Sequence, residues 1–424
     1  MTEGREMMKK AIFAIGALAA GTAFCATTVG NVDLSQDTET GLVTVTYDLA
    51  GDPAVVTLDI LAGGESIGQE NIVKTEGDVN TVVSAGAGKR LTWRPSGEWD
   101  GAAASMTARI VAWPTNDPPD YIVANLANGQ DKVVRYYTCA EQVPGGVTNM
   151  SYKTEKLLMR RIHAKDVTWT IGAGGNTGRQ SAREKKFSVT LTNDFYIAVY
   201  PFTQGQYWIV WGGRPGSNAY GGSLNEWQWT THPMNYIGYG KLRGLAADNI
   251  SWPDTGHDVK SGSVIAILRL RTTLGGLDLP LDAQWEFAAR GGDFTHDLYN
   301  GHDLSSTAGD ANLDEIAWFK GNSGDTTHPV GEKKPNAYGL YDMLGNISEA
   351  CLDWYEQGDA YPGENYDPNV GPASSSLNCR NRRGGEAVNW GAGTCRVTYR
   401  DANVSEDTTG RYDVGFRPAM TIYP

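Results

Sequence analysis

The stretch that most constrains the fold runs from Asn336 to Tyr355 and reads NAYGLYDMLGNISEACLDWY. Within it, Gly345 and Asn346 predict a tight turn, because glycine adopts a positive φ without steric cost and asparagine tolerates one. Such a turn would bring the carboxylates of Asp342 and Glu349 close together, with backbone carbonyls facing the same space. Carboxylate and carbonyl oxygens are the ligands that Ca²⁺ prefers. The spacing alone leaves two interpretations open: a calcium site, or acids that only cap and solvate a turn.

The N-terminus has the pattern of a secretory signal peptide over residues 1–25. Lys9 and Lys10 form its positive end, and the apolar run Ala11–Phe24 is too short to span a bilayer as a permanent anchor. Ala23 and Cys25 place small residues where a cut before Ala26 requires them. Lipidation of Cys25 is a less favoured alternative, because a bulky Phe precedes it. We therefore expect an exported protein, secreted, periplasmic or on the cell surface, with no membrane span.

Residues 27–116 predict an all-β domain. The runs Val43–Tyr47 and Ala54–Ile60 alternate between apolar and polar residues and are separated by turn residues. Short alternating strands over such a length are typical of an immunoglobulin-like or fibronectin-like sandwich. Trp93 is expected to pack in its core. Residues 117–156 then predict a stiff linker followed by strands that dock this domain onto the next.

The charge of the chain limits its partners. Its 36 basic and 49 acidic side chains give a formal net charge of −13, which argues against nucleic acid as the main partner, since nucleic acid requires basic patches. The four cysteines of the exported chain are not spaced as a zinc site. Sequence leaves open whether they form disulfides or remain free thiols; they are Cys139, Cys351, Cys379 and Cys395.

Several motifs of the second half share one resemblance. The motif GLYDM-x-GN-x-x-E at residues 339–349, followed by DWY, is similar to the signature of the formylglycine-generating enzyme, or sulfatase-modifying factor, family. LPLDAQWEFAARGG at residues 279–292, RGG at 383–385 and GFRP at 415–418 occur in the order that the family shows. The resemblance covers residues 157–424. It implies an α+β domain with an irregular, C-type-lectin-like fold and long loops.

Three helices are predicted, the first and third at motifs of this resemblance and the second from its apolar stripe alone. One is expected to start at Thr203–Tyr207, and a second to follow the apolar stripe from Val264 and to close at Gly275 and Gly276. The third follows Pro280, with Asp282 as a candidate cap. Its Trp285, Glu286 and Arg290 are expected to have structural roles, as a core ring and an ion pair.

The resemblance also implies two calcium sites. In the better match, side chains of Asp342 and Glu349 and carbonyls of Gly345 and Ile347 would bind the ion. The weaker second site has a loop of different length and a neutral amide where a carboxylate would bind more strongly. Its corresponding positions are Asn312, Leu313, Asn322 and Gly324.

The catalytic positions of the family are replaced in this chain. Family enzymes oxidise a sulfatase cysteine with O₂, using copper held by two cysteines, because paired thiolates favour Cu(I). Here Glu386 stands at the serine position, Asn389 at the first cysteine and Trp390 at the histidine, while Cys395 lies one residue late for the second cysteine. A lone cysteine and an amide cannot form a bis-thiolate copper site, so copper is not expected.

Two functions follow from this. The first is a calcium-stabilised binding module without catalysis, in which Asn389 and Trp390 contact an extracellular peptide, protein or glycan; burial of the Trp390 ring is the competing interpretation. The second is a formylglycine-generating oxidase acting on Cys-x-Pro-x-Arg peptides. An iron-dependent branch of the family is disfavoured, because the six histidines are scattered along the chain.

Overall fold

The computed structural model describes residues 27–72, 74–95, 106–127, 134–213, 228–252, 257–356, 372, 374–405 and 410–423. The predicted signal peptide and Cys25 lie outside these residues. None of the helices in the described ranges is long and apolar enough to cross a membrane.

The N-terminal region is built from eight strands in two antiparallel sheets. One sheet has the order β1-β2-β7-β5, and in the other β3 pairs with β4, β6 and β8. The strands are β1 (Thr28–Gln36), β2 (Val43–Ala50), β3 (Ala54–Ala62), β4 (Glu65–Ser66), β5 (Thr75–Gly77), β6 (Thr81–Val83), β7 (Gly86–Trp93) and β8 (Met106–Pro114).

Alternation along β2 explains the core of this region. Val43, Val45 and Tyr47 are buried and alternate with less buried neighbours, since successive side chains of a strand point to opposite faces. Trp93 is fully buried, and its indole N–H donates to the carbonyl of Asn71 at 3.1 Å. The predicted strands and the core position of Trp93 are confirmed.

The remaining strands form three sheets. A five-stranded sheet has the order β10-β9-β11-β14-β19, β12 pairs with β13, and a four-stranded sheet has the order β17-β16-β15-β18. The strands are β9 (Tyr121–Asn125), β10 (Val134–Tyr137), β11 (Lys156–Ile162), β12 (Thr168–Ile171), β13 (Phe187–Thr190), β14 (Phe195–Ala198), β15 (Ser348–Trp354), β16 (Cys379–Arg383), β17 (Asp401–Ser405), β18 (Val414–Gly415) and β19 (Ala419–Thr421).

Strands β9 and β10 come from the stretch predicted to link and dock the two parts of the chain. They extend the five-stranded sheet beside β11. Strand β10 also contacts the β-rich N-terminal region, because the N–H of Tyr136 donates to the carbonyl of Asn80 at 2.9 Å. Arg135 donates to the carbonyl of Val79 at the same distance.

Helices are few and short, so the described part of the chain is predominantly β. They are α1 (Gln204–Trp211), α2 (Tyr239–Leu242), α3 (Val264–Thr272), α4 (Asp282–Arg290) and α5 (Ala311–Asp314), with short 3₁₀ turns between them. Helix α1 starts with a capping box, in which the hydroxyl of Thr203 accepts from the N–H of Gln206 at 3.1 Å and the Gln206 side chain accepts from the N–H of Thr203 at 2.9 Å.

Two details of the predicted helices were wrong. Helix α3 ends at Thr272 because Thr273 takes a left-handed conformation, with φ 58°, before the two glycines are reached. Asp282 does not cap α4: Leu281 precedes the helix and its N–H is bound by the side chain of Gln284. The carboxylate of Asp282 is instead held by two buried arginines.

These arginines link α4 to the C-terminal part of the chain. Asp282 lies 2.5 Å from Arg383 and 2.8 Å from Arg400, and all three side chains are buried. On the next turn, Glu286 lies 2.8 Å from Arg290. Trp285 between them is fully buried, so the structural roles predicted for Trp285, Glu286 and Arg290 are confirmed.

Candidate functional site

The predicted turn at Gly345 and Asn346 is present and precedes the first set of candidate residues. Gly345 has φ 74° and Asn346 has φ 59°, both in the left-handed region. A Cβ atom at Gly345 would lie 2.2 Å from the carbonyl oxygen of Trp318, so only glycine fits there. The side-chain amide of Asn346 links this turn to His328, because it donates to the carbonyl of His328 and accepts from the N–H of His328.

Asp342 is buried directly before this turn. One carboxylate oxygen accepts from the N–H of Gly331 at 2.6 Å, and the other from the side chain of Asn346 at 3.3 Å. Burial raises the pKa of Asp342 to about 6, because these hydrogen bonds and the more distant Arg417 do not compensate for its desolvation. Asp342 is thus a buried carboxylate without a full counter-charge.

Glu349 has a different environment. Both of its oxygens accept from Arg417, at 3.0 Å from Nε and at 2.8 Å from the terminal nitrogen. The indole N–H of Trp285 donates to the same carboxylate at 2.7 Å. The guanidinium of Arg417 also donates to the carbonyls of Tyr341 and Asp342, at 2.7 and 3.3 Å. A guanidinium therefore neutralises the second carboxylate that was predicted to bind calcium.

The carbonyl ligands of this site are only partly available. The carbonyl of Gly345 accepts from the N–H of Ile347 at 2.8 Å. In the described ranges, no group of three or more His, Cys, Asp or Glu side chains is arranged to hold a metal ion. Calcium at this position stays a prediction, and Glu349 would have to share its oxygens with Arg417.

The second predicted calcium set is engaged in local hydrogen bonds. Asn322 accepts from the N–H of Phe319 at 2.8 Å and donates to Asp314 at 3.0 Å. The carbonyl of Asn312 accepts from Asn300 at 2.9 Å. Leu313 is buried, and Gly324 has φ 67°. Calcium at this position stays a prediction.

Glu386 organises the loop where the catalytic residues of the resembling family would lie. Its buried carboxylate accepts from three successive backbone N–H groups: Val388 at 2.5 Å, Asn389 at 2.8 Å and Trp390 at 3.1 Å. Burial raises the pKa of Glu386 above its ordinary value against the opposing effect of these N–H groups. The side chain thus fixes the backbone of the loop.

The loop presents Trp390 to solvent. Its side chain is 51% exposed, although it follows a run of buried residues. The neighbouring Asn389 accepts from the hydroxyl of Tyr412 at 3.0 Å, and the ring of Tyr412 lies 6.2 Å from that of Tyr236. Tyr236 has φ 54°, a strained conformation for a bulky residue. Trp390 is therefore an exposed ring on a loop that is fixed by Glu386 through its backbone and by Tyr412 through the side chain of Asn389.

A small pocket, with a volume of about 10 Å³, is lined in part by Trp390. Glu386, Arg382, Tyr399 and Asp401 contribute to its walls. Its charges are already paired, since Arg382 lies 2.6 Å from Asp401 and 2.7 Å from Asp413. Arg382 and Asp401 of the pocket therefore already have ion-pair partners, and Trp390 is an aromatic side chain at its edge.

Cys395 is buried close to Gly385, where a Cβ atom would lie 2.6 Å from its sulfur. Burial, with a contribution from Glu386, raises the pKa of the Cys395 thiol to about 12. Because the thiolate is the form that binds metals and attacks substrates, this sulfur is inert at neutral pH. No disulfide joins Cys139, Cys351, Cys379 and Cys395 in the described part of the chain.

Sequence reasoning missed two elements of the region. Glu184 was not singled out, yet it is buried and lies 2.8 Å from Arg396 while accepting from the hydroxyl of Thr398. Arg417 was noted only as part of the GFRP motif. The family motif that contains it was the one available signal for its pairing with Glu349.

Comparison with known protein families identifies the second part of the chain. A model of the sulfatase-modifying factor enzyme 1-like domain matches residues 155–422. The chain belongs to this family. The β-rich N-terminal region precedes the matched sulfatase-modifying factor domain.

Similar proteins of the family include a chaperone protein LppX of Paenibacillus barcinonensis, 28% identical over 45% of this chain and 72% of that protein. The formylglycine-generating enzyme of Streptomyces coelicolor is 31% identical over 34% of this chain, and the match spans less than half, 46%, of that enzyme. Among solved structures, Treponema denticola variable protein 1 is 26% identical, with 62% of this chain and 95% of that chain covered and a TM-score of 0.46.

Proposed function

We propose that this protein is an exported binding module whose sulfatase-modifying factor domain uses the surface around Trp390 to contact an extracellular peptide, protein or glycan. The observation that carries the proposal is the exposed Trp390 ring on a loop whose backbone N–H groups are held by Glu386. A pre-ordered aromatic ring loses little conformational freedom on binding, which favours affinity.

The proposal includes a degenerate copper site. Asn389 and Trp390 stand where the family has ligand and site residues, and the Cys395 thiol is buried and protonated. An amide and a neutral thiol are poor ligands for Cu(I), which prefers thiolates. The relative LppX is named a chaperone protein, and a chaperone acts by binding another protein, without catalysing a reaction.

In finer detail, we propose an α+β, C-type-lectin-like domain over residues 157–424 behind an immunoglobulin-like or fibronectin-like sandwich over residues 27–116. We also propose calcium at Asp342, Gly345, Ile347 and Glu349. The buried, incompletely compensated charge of Asp342 supports a cation there, and Arg417 competes for Glu349.

A second candidate function is oxidation of sulfatase Cys-x-Pro-x-Arg peptides, which the names of relatives such as the Streptomyces coelicolor enzyme favour. One experiment separates the two. Wild-type protein and Trp390→Ala are screened against glycan and peptide arrays, and each is incubated with a Cys-x-Pro-x-Arg peptide and copper. Binding that requires Trp390, with the peptide unchanged, supports the binding module; conversion of the peptide by the wild-type protein overturns it.

A further inference from the structure

Helix α1 exposes a second aromatic surface, separate from the Trp390 loop in sequence. Trp208 is 48% exposed and Trp211 is 36% exposed, whereas Tyr207 and Val210 of the same helix are buried. Residues three apart in a helix lie on the same side, so the two indole rings share one face. Two partly exposed tryptophans on one short helix form an unusual apolar surface for a polar chain.

Neighbouring rings hold these tryptophans in place. Trp208 packs edge-on against Trp229, with ring centroids 5.9 Å apart. Trp211 stacks on Tyr207, with centroids 6.0 Å apart and an interplanar angle of 17°. The ammonium of Lys241 lies 5.1 Å from the Trp211 ring centre and 5.5 Å from that of Tyr207. The rings are therefore pre-ordered for a stacking partner.

Two cationic side chains lie near the C-terminal end of α1. In the described part of the chain, neither Lys241 nor Arg271 forms a salt bridge. Arg271 donates to the carbonyls of Val210 at 3.1 Å and Leu126 at 3.0 Å, so it lies at the C-terminal end of α1. Two cations that form no salt bridge among the described residues make this end of α1 locally positive, in contrast to the formal net charge of −13 for the whole chain.

A buried polar atom lies under the same surface. The hydroxyl of Tyr207 is buried and has no hydrogen-bond partner in the described residues. Buried hydroxyl groups are normally hydrogen-bonded, so this hydroxyl is an exception among the described residues. It lies on the ring over which the Lys241 ammonium is placed.

We propose that the α1 surface, defined as Trp208, Trp211, Lys241 and Arg271, binds an acidic polysaccharide made of uronic-acid-type sugars. The apolar face of a pyranose ring stacks on an indole ring, and the sugar carboxylate is bound by the ammonium and guanidinium groups. A neutral glycan offers no carboxylate to either cation.

The test uses the full exported chain and oligomers of polygalacturonate, with neutral glucose oligomers of the same length as the comparison probe. Binding is followed by calorimetry at an ionic strength of about 0.15 M, at which distant charges are screened. We expect wild type to bind the acidic oligomer, and Trp211→Ala and Lys241→Gln each to weaken binding by about tenfold, as for loss of a stacking contact or a charge pair.

Two matched variants serve as controls. Leu377→Ala removes another large exposed apolar side chain, and Lys165→Gln removes another exposed lysine; both are expected to bind the acidic oligomer as wild type does. Equal affinity for the neutral oligomer, no binding by wild type, or binding of anionic vesicles instead of the oligomer would overturn the proposal. Because Trp390→Ala is scored separately, failure here is distinguishable from failure of the proposed function at the Trp390 loop.

Discussion

The carboxylate of Glu386 lies 3.1 Å from the backbone nitrogen of Trp390 and accepts its N–H. The same carboxylate binds the two preceding N–H groups, so one buried side chain determines the path of the loop that carries the exposed ring. The family resemblance places a catalytic serine at this position. In this chain the position is occupied by Glu386, whose carboxylate binds the backbone of the loop.

Glu386→Ala is therefore expected to destabilise the protein and to weaken ligand binding at Trp390. Removing the carboxylate leaves three backbone N–H groups without their acceptor, at a cost of about 1–3 kcal/mol for each that remains buried. Urea denaturation measures the change in the free energy of unfolding. Glu65→Ala, at an exposed position in strand β4, is the control and should leave that free energy unchanged. A Glu386→Ala variant as stable as wild type would contradict the supporting role.

The four described cysteines are expected to differ in reactivity. Cys351 and Cys395 are buried, and burial raises both thiol pKa values far above the ordinary range. Iodoacetamide at neutral pH should therefore label only the partly exposed Cys139 and Cys379 in the folded protein. Peptide mass spectrometry reads the label at each site, and labelling of all four in urea is the control. Rapid alkylation of Cys395 in the folded protein would show a reactive thiolate.

Calcium dependence tests the Asp342 site. If calcium binds there, wild type should melt at a higher temperature in calcium than in chelator, and Asp342→Ala with Glu349→Ala should melt at a lower temperature and lose that difference. The loss of stability alone is not diagnostic, because Glu349 also pairs with Arg417. Asp325→Ala with Glu332→Ala removes two exposed acids and is the matched control. Identical wild-type melting curves with and without chelator would exclude the calcium assignment.

Acid stability should depend on His232. Burial, with a smaller effect of His328, lowers the pKa of His232 from 6.5 to about 4. As the pH falls below 6.5, the unfolded chain binds a proton that the folded protein does not bind until about pH 4. Stability is therefore lost over this interval, by roughly 3 kcal/mol in total. His232→Gln should flatten the pH dependence of the unfolding free energy, whereas exposed His302→Gln should not; an equally steep curve for His232→Gln would contradict this origin.

Local features of the fold were accessible from sequence because they depend on neighbouring residues. The Gly345-Asn346 turn follows from φ preferences, and the start of α1 follows from the Thr203–Gln206 capping pattern. The partner of Glu349 was not accessible in the same way. Arg417 lies 68 residues further along the chain, and only the packing of β15 against β18 brings the two together.

The candidate site was likewise predictable from sequence only in part. The position of Trp390 could be found from family motifs, but its exposure could not, because exposure depends on how the loop packs against distant parts of the chain. Glu386 also appeared only as a replaced residue. Its function as an acceptor for three N–H groups depends on the turn that the loop makes, which the sequence does not specify.

The most direct test of the central claim is a Cu(I) titration of the purified wild-type protein against a competing chelator, run in parallel with Cys395→Ser. The account predicts no copper binding that depends on Cys395, and no conversion of a Cys-x-Pro-x-Arg peptide after copper is added. One tightly bound copper per chain that is lost in Cys395→Ser, together with peptide conversion by wild type, would contradict the account.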